Sequence, residues 1–361
     1  MPTILLISPY DGLSHRYWRE SLADYLATGH PQWQVSSVTQ PPRYFSWRQR
    51  GNSLGLALHD ALQGPVDLMI ATSVTDLSAL RGMNRALAGV PAVVYCHENQ
   101  FAYPDTHNQG LLERQLTSIY TAISADRVLF NSEWNRRSFL KGADELLAKM
   151  PDEVPAGITA LIEAKSQVLP VALDAGLVPV EEPASPAPGT RTRRRIAWNH
   201  RWEHDKGPAQ LLAIVEALLD TDLDFEFSLF GQRFRQVPAE LARVIELLTA
   251  AGRLIQADYE ESRSVYLARL ATHDLVLSTA LQEFQGLAVQ EAIQLGCIPV
   301  VPDALCYPEY VAAPLRYRTV DQAVAILCGD PPTVNQSLDA YQWDVIGPRW
   351  DQLLVDLLAP R

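Results

Sequence analysis

The sequence predicts an α/β protein made of two Rossmann-like domains facing across a cleft. Three observations lead there. The chain has 361 residues, which is long for one hydrophobic core. Short apolar runs alternate with longer helical patterns in both halves. Between the halves lies a stretch too rich in proline to belong to either core.

In the first half, Ile4–Ile7, Gln34–Thr39, Asp67–Ala71, Ala92–Tyr95, Arg127–Phe130 and Gln167–Leu169 read as strands. Helical stretches at His15–Ala27, Ser53–Leu62 and Leu111–Ser124 lie among them. Such alternation with apolar strands implies a parallel sheet covered on both faces. The pattern fails from Val178-Pro179 through Glu182–Gly189, where prolines remove amide donors and little can be buried. We place an N-terminal domain over residues 1–175, a linker over 176–193 and a C-terminal domain over 194–340, with a helix in 341–361 packing back on the first domain. After the linker, strands recur at Arg195–Asn199, Phe225–Phe230, Leu254–Gln256, Leu275–Ser278 and Ile298–Val301. Helices fall between them at Ala209–Leu219, Pro238–Ala251, Ser262–Ala271 and Gly286–Leu295. Sheets of this kind bind ligands beyond the carboxyl ends of their strands.

Composition bounds the function. No run approaches 18 consecutive apolar residues, so no membrane span is expected. The start, Met1-Pro2-Thr3 followed by Ile4–Ile7, lacks a basic region and reads as a first strand, not a signal peptide. Cys96, Cys297, Cys306 and Cys328 have no CxxC spacing, and a reducing, cytoplasmic setting follows. A net charge of -12 argues against non-specific coating of nucleic acid. It leaves room for an RNA held by one basic patch.

The segment Ser278–Ala292 carries the strongest chemical signal. A strand gives way to a loop holding Glu283, and Gly286 opens a helix whose free amides suit a diphosphate. Glu291 lies on that helix, where it can accept from both hydroxyls of a ribose, and Glu283 is placed to hold sugar hydroxyls. Read blandly, Glu291 is a solvated helix acid and Glu283 a partner of the helix dipole. After the linker, Ile196–Pro208 runs from a strand into a loop with Arg201 and Lys206, a fork and a point charge for phosphate oxygens. The same stretch matches His-x-x-Glu-His through His200, Glu203 and His204. A zinc site of that type needs a helix, and Gly207-Pro208 follows too closely, so no metal is expected.

A third signal is the apolar strand ending in His97-Glu98-Asn99-Gln100. The loop Ser8–His15 after the first strand has too little glycine for a dinucleotide fingerprint or a P-loop. Pro41–Arg50 interleaves Arg43, Arg48 and Arg50 with Tyr44, Phe45 and Trp47, which suits phosphates and unstacked bases. Arg191, Arg193, Arg194 and Arg195 form a second basic cluster at the linker.

The Glu283/Glu291 pair, Arg201 with Lys206, and His97 after a strand resemble the retaining family 4 glycosyltransferases. More closely, His97–Gln100 with Tyr103-Pro104, Phe130-Asn131-Ser132, Trp198–Lys206, Gly296-Cys297 and Tyr307-Pro308-Glu309 resemble the tRNA-queuosine α-mannosyltransferase family over nearly the whole chain. The resemblance implies a GT-B fold and a retaining, metal-independent transfer of mannose from GDP-mannose to queuosine in tRNA. The expected partners are thus a nucleotide sugar and tRNA, with no separate cofactor and no membrane. Joined to the readings above, it assigns His97, Arg201, Lys206 and Glu283 to catalysis. Gly12, Asn199, Phe284, Gln285, Gly286, Leu287 and Glu291 are assigned to the donor. Ser14, His15, Arg43, Trp47, Arg48, Glu98, Asn99 and Gln100 are assigned to the acceptor. Two departures fall at the site: Leu13 interrupts the family's Gly-Gly-Ser-His at Gly12–His15, and Gln282 and Gln285 bracket Glu283-Phe284 where His and an aromatic are usual. The alternatives are a glycosyltransferase with a small-molecule or lipid acceptor, a sugar-nucleotide epimerase on the same fold, and a non-catalytic RNA- or nucleotide-binding protein.

Overall fold

Within the residues that the computed structural model describes, 1–102, 110–174, 193–233, 237–330 and 336–359, the chain divides into two units. The first joins Met1–Ala172 to Tyr341–Arg361, and the second is Leu173–Ala340. Most of the linker, including Arg191, and Tyr103-Pro104 lie outside the described residues.

The first unit runs β1 (Thr3–Ser8), α1 (Leu13–Gly29), β2 (Gln34–Thr39), α2 (Phe45–Ala57), β3 (Leu68–Thr72) and α3 (Leu77–Met83). It continues β4 (Ala92–Cys96), α4 (Leu111–Ser124), β5 (Arg127–Phe130), α5 (Glu133–Leu147), α6 (Ile158–Glu163) and β6 (Ser166–Val168). The strands form one six-stranded sheet in the order β2-β1-β3-β4-β5-β6, and every pairing is parallel. That order reverses direction at β1, and β1, β3 and β4 are apolar and buried nearly throughout. β2, expected to be buried, is an edge strand whose Ser36 and Ser37 face water, so one of its backbone edges and most of its side chains are uncovered.

The helix expected at Ser53–Leu62 is also displaced. α2 starts at Phe45 and ends at Ala57, and Asp60–Leu62 is a separate 3-10 turn. Gly51 and Gly55 sit inside α2 and weaken its helical signal. At Gly51 a Cβ would come within 2.7 Å of the Trp47 ring that lies over it, so any larger residue would displace that ring.

The second unit runs β7 (Arg194–Asn199), α7 (Pro208–Leu219), β8 (Phe225–Phe230), α8 (Ala239–Ala250), β9 (Leu254–Asp258), α9 (Arg263–Leu270) and β10 (Leu275–Leu277). It ends with α10 (Leu287–Gln294), β11 (Ile298–Pro302), β12 (Arg316–Tyr317) and α11 (Val320–Cys328). Its sheet is again parallel, in the order β12-β11-β10-β7-β8-β9, over a core of residues such as Trp198, Phe227, Leu277 and Val300. α12 (Trp343–Leu358) belongs to the first unit. The Tyr25 ring on α1 stacks on Trp343 at 4.5 Å, and its hydroxyl donates to Asp351 Oδ2 at 2.8 Å. All four cysteines are free thiols, and no described helix is long and apolar enough to cross a membrane.

Candidate active site

In the first unit, His97 follows directly on β4, at the carboxyl end of the sheet. Its ring stacks on His15 of α1 at 4.3 Å and meets Trp18 edge-on at 4.9 Å. His15 Nδ1 donates to the carbonyl of Tyr10 at 2.7 Å, which leaves its Nε2 side directed elsewhere. His97 is buried, and its Nε2 has no partner among the described residues. Burial, followed by the neighbouring His15, holds His97 well below the usual histidine range, so it is neutral at physiological pH. A neutral ring with an unsatisfied nitrogen suits a sugar hydroxyl better than a phosphate.

Asn99, expected at the acceptor, is engaged within the first unit. Its Nδ2 donates to Asn135 Oδ1 and Ser138 Oγ, each at 2.8 Å, and its Oδ1 accepts from the amides of Phe101 and Ala102 at 2.9 and 3.1 Å. With donors and acceptor engaged inside the protein, Asn99 shapes the loop. Asn135 and Asn131 complete the network: Asn135 Nδ2 donates to the carbonyl of Cys96 and Asn131 Nδ2 to that of His97, both at 2.9 Å. This bracing of His97–Gln100 was not legible in the sequence beyond the Phe130-Asn131-Ser132 motif.

A narrow recess lined by Gln49, Ser73, Glu98, Gln100, Ser118 and Phe139 opens beside that loop and brings Glu98 and Gln100 next to α2. On α2 itself Trp47 is 57% exposed, and the Arg43 guanidinium lies 5.8 Å from the Tyr44 ring. Arg48 donates to Gln40 Oε1 at 2.9 Å and Arg50 to Thr117 Oγ1 at 3.0 Å, so both are held in place on the surface. Gly12 is the N-cap of α1 and Ser14 is exposed in its first turn. The linker arginines behave differently. Arg193 and Arg195 pair with Glu226 at 3.1 Å each, and Arg194 donates to the carbonyls of Leu327 and Gly329. These three arginines of the second basic cluster are thus engaged within the unit.

In the second unit, β7 delivers Asn199, His200 and Arg201 into a loop that ends in a 3-10 turn at His204–Lys206. His200 and His204 therefore share no α-helix, and among the described residues no group of three or more His, Cys, Asp or Glu could hold a metal. Gly207 then turns the chain into α7 with φ +66°, and a Cβ there would lie 1.9 Å from the carbonyl oxygen of Thr279. Only glycine allows this approach. It docks the loop against the β10–α10 connection, where Leu281 and Gln282 amides donate to the carbonyl of Asp205 at 2.9 and 3.1 Å.

That docking brings Lys206 and Glu283 together. Lys206 Nζ lies 3.1 Å from Glu283 Oε2, 3.2 Å from Asp205 Oδ2 and 2.9 Å from the carbonyl of Gln282. Burial alone would pull the lysine down, but Glu283 and then Asp205 more than offset it, and it stays charged. Burial likewise pushes Glu283 up, and Lys206, with His200 and the Phe284 amide, more than offsets that, so the carboxylate is held below its usual range. Arg201 is half exposed and pairs with Glu203 at 3.0 Å. His200, beside this cluster, is pulled down to about 3 by burial first and Lys206 second.

Gly286 caps α10 with no side-chain bond, so the amides after it, beginning at Leu287, head the helix. Phe284 is buried beneath, and Gln285 Nε2 donates to Gln290 Oε1 at 3.0 Å. Asn199 Nδ2 donates to the carbonyl of Ala288 at 2.7 Å and to the Tyr266 hydroxyl at 3.1 Å, while its Oδ1 is buried with no partner among the described residues. Glu291 accepts from Arg263 at 2.8 Å. Burial pushes the Glu291 carboxyl up, and Arg263 opposes but does not cancel this. Asp205, Tyr266 and Arg263 were not singled out in the sequence.

Residues 3–173 match the family model described as tRNA-queuosine alpha-mannosyltransferase N-terminal. Over 323 residues the chain is 32% identical to the tRNA-queuosine alpha-mannosyltransferase of Drosophila melanogaster, covering 88% of this chain and 84% of that protein. The chain belongs to the tRNA-queuosine alpha-mannosyltransferase family. Solved structures agree on the fold. HepE of Anabaena, in complex with UDP and glucose, superposes with a TM-score of 0.65 at 15% identity, over 99% of this chain and 100% of that one. Sucrose-phosphate synthase of Thermosynechococcus elongatus gives 0.70 at 14% identity, over 99% of each chain. This family member is accordingly a glycosyltransferase of GT-B fold.

Proposed function

We propose that the protein transfers mannose from GDP-mannose to queuosine in tRNA, with retention at the anomeric carbon and without a metal. The observation that carries this reading is the Lys206–Glu283 pair beside the N-terminus of α10, in a chain 32% identical to a tRNA-queuosine alpha-mannosyltransferase. In this reading Arg201, Lys206 and the first amides of α10 are the second unit's groups for the diphosphate, and Gly12 at the head of α1 is the first unit's donor contact. Glu291 and Asn199 hold the ribose side of the nucleotide, with Phe284, Gln285 and Leu287 forming its wall. Glu283 is the second unit's ionised acceptor for sugar hydroxyls, and His97 is the first unit's neutral ring for the same chemistry.

As the bond from the anomeric carbon to the diphosphate breaks, negative charge grows on the leaving oxygen. Pre-placed cations and amides stabilise it without reorganising. The same oxygen takes the proton of the acceptor hydroxyl while that hydroxyl bonds to the anomeric carbon on the face being vacated. Ser14, His15, Glu98 and Gln100 receive the acceptor nucleoside, and Arg43, Trp47 and Arg48 meet the surrounding tRNA by phosphate contacts and stacking. We place the reaction in the cytoplasm, since four free thiols suit a reducing compartment.

The donor half of the proposal is tested by thermal shift with GDP-, UDP- and ADP-sugars. A ligand at a hundred times its Kd stabilises by about 2.7 kcal/mol, and GDP-mannose is expected to give the largest rise in Tm. A larger rise with a UDP-sugar would replace the donor and keep the reaction class. No rise with any nucleotide sugar would remove the donor site.

A further inference from the structure

Arg263 is the first residue of α9, where a cation faces the positive end of the helix dipole. Two carboxylates offset that placement. Its Nη2 donates to Glu291 Oε1 at 2.8 Å and to Asp174 Oδ2 at 3.2 Å. The Glu291 side chain is 12% exposed, and among the described residues its hydrogen bonding is through Oε1 alone. The same helix sends Tyr266 to Asn199, whose amide also reaches the carbonyl of Ala288 on α10. One face of α9 therefore fixes two of the groups assigned to the nucleotide.

We propose that Arg263 is a positioning residue for the ribose of the nucleotide donor: by binding Glu291 Oε1 it orients the carboxylate and leaves Oε2 to accept from ribose hydroxyls. This rests on the reading of Glu291 as the ribose partner. Among the described residues, the charged or titratable groups facing Glu291 are Arg263 and Tyr266 from α9 and Asp174 from the segment after β6. Of these Arg263 alone favours the ionised carboxylate, while burial and Asp174 disfavour it. Losing Arg263 thus leaves Glu291 both freer to rotate and easier to protonate, and a protonated acid accepts poorly from a hydroxyl.

The test is isothermal titration of the full chain with GDP and with 2′,3′-dideoxy-GDP, at pH 6 to pH 8.5. Wild type should prefer GDP by about tenfold, the value of one hydrogen bond to a charged group. Arg263→Gln, shown to be folded by its circular dichroism, should lose about tenfold in GDP affinity at pH 6, regain part of it as pH rises, and bind dideoxy-GDP as wild type does. Arg263→Lys should restore the wild-type pH profile. An Arg263→Gln protein that keeps the wild-type GDP profile, or that weakens both nucleotides equally at every pH, overturns the inference. Equal wild-type affinity for the two nucleotides would instead overturn the ribose reading of Glu291, and the inference with it.

Discussion

Replacing Lys206 with methionine keeps the side chain's length and removes its charge. Two carboxylates and a carbonyl, all within 3.2 Å of the nitrogen, would then lose their shared cation and keep Arg201, 4.0 Å from Asp205 Oδ2, at their edge. Removing one partner of a buried ion pair costs about 3–5 kcal/mol. Asp205 and Glu283 keep 19% and 20% of their side chains exposed, which places the loss at the lower end, about 3 kcal/mol. For a unit of this size that is a fall in Tm of roughly 6–12 °C. The pH dependence follows from Glu283, whose folded pKa is depressed because Lys206, with His200 and the Phe284 amide, more than offsets burial. Such a group contributes stability above its unfolded pKa and loses it as pH falls through the folded value. In Lys206→Met the largest influence against burial is gone, the carboxyl rises although the Phe284 amide still donates to it, and the variant gains relative stability once Glu283 is protonated. The Tm gap should therefore be full at pH 7 and shrink below about pH 5. Scanning calorimetry of both proteins at pH 7 and pH 4 reads it. A gap under about 2 °C at pH 7, or one that widens in acid, would refute the electrostatic account of this pair.

Gly207→Ala should cost at least about 2–3 kcal/mol in urea unfolding, from left-handed backbone strain plus collision with the Thr279 carbonyl; an unchanged midpoint would mean the loop can move aside. Because His97 is neutral throughout the physiological range, kcat/KM between pH 5.5 and pH 8 should show no ionisation that belongs to it. An inflection near about pH 6.5 that disappears in His97→Gln would contradict its burial. Trp47→Ala and Arg48→Glu should each raise KM for tRNA by about tenfold, the worth of one stacked base or phosphate contact, while nucleotide binding stays unchanged. A nucleotide affinity that falls in parallel would show that α2 serves the fold instead.

The parts of the fold written in apolar periodicity were legible. β1, β3 and β4 are nearly continuous runs of buried residues, and Gly207-Pro208 and Gly286 mark where α7 and α10 begin. What failed was set by neighbours. β2 alternates too little to reveal that it is an edge, and the start of α2 is hidden by two prolines before it and two glycines within it. The cations and acids of the β7–α7 and β10–α10 loops could be named from their place between strand and helix. Their partners could not, because Lys206 and Glu283 meet only once Gly207 lets the two loops touch. Asn99 has the composition of a ligand contact, and only the distant Asn135 and Ser138 reveal that its amide is already occupied. Arg263 looks like a solvated helix residue until α10 places Glu291 against it.

The central claim is that this glycosyltransferase acts on queuosine in tRNA, and nucleoside analysis tests it most directly. The enzyme is incubated with GDP-mannose and tRNA from cells able or unable to make queuosine, and the tRNA is digested for mass spectrometry. The account predicts a hexose added to queuosine in the modified sample and nothing added in the other. No hexose on tRNA in either sample, with transfer to a small molecule or lipid instead, would contradict the acceptor and leave the glycosyltransferase standing.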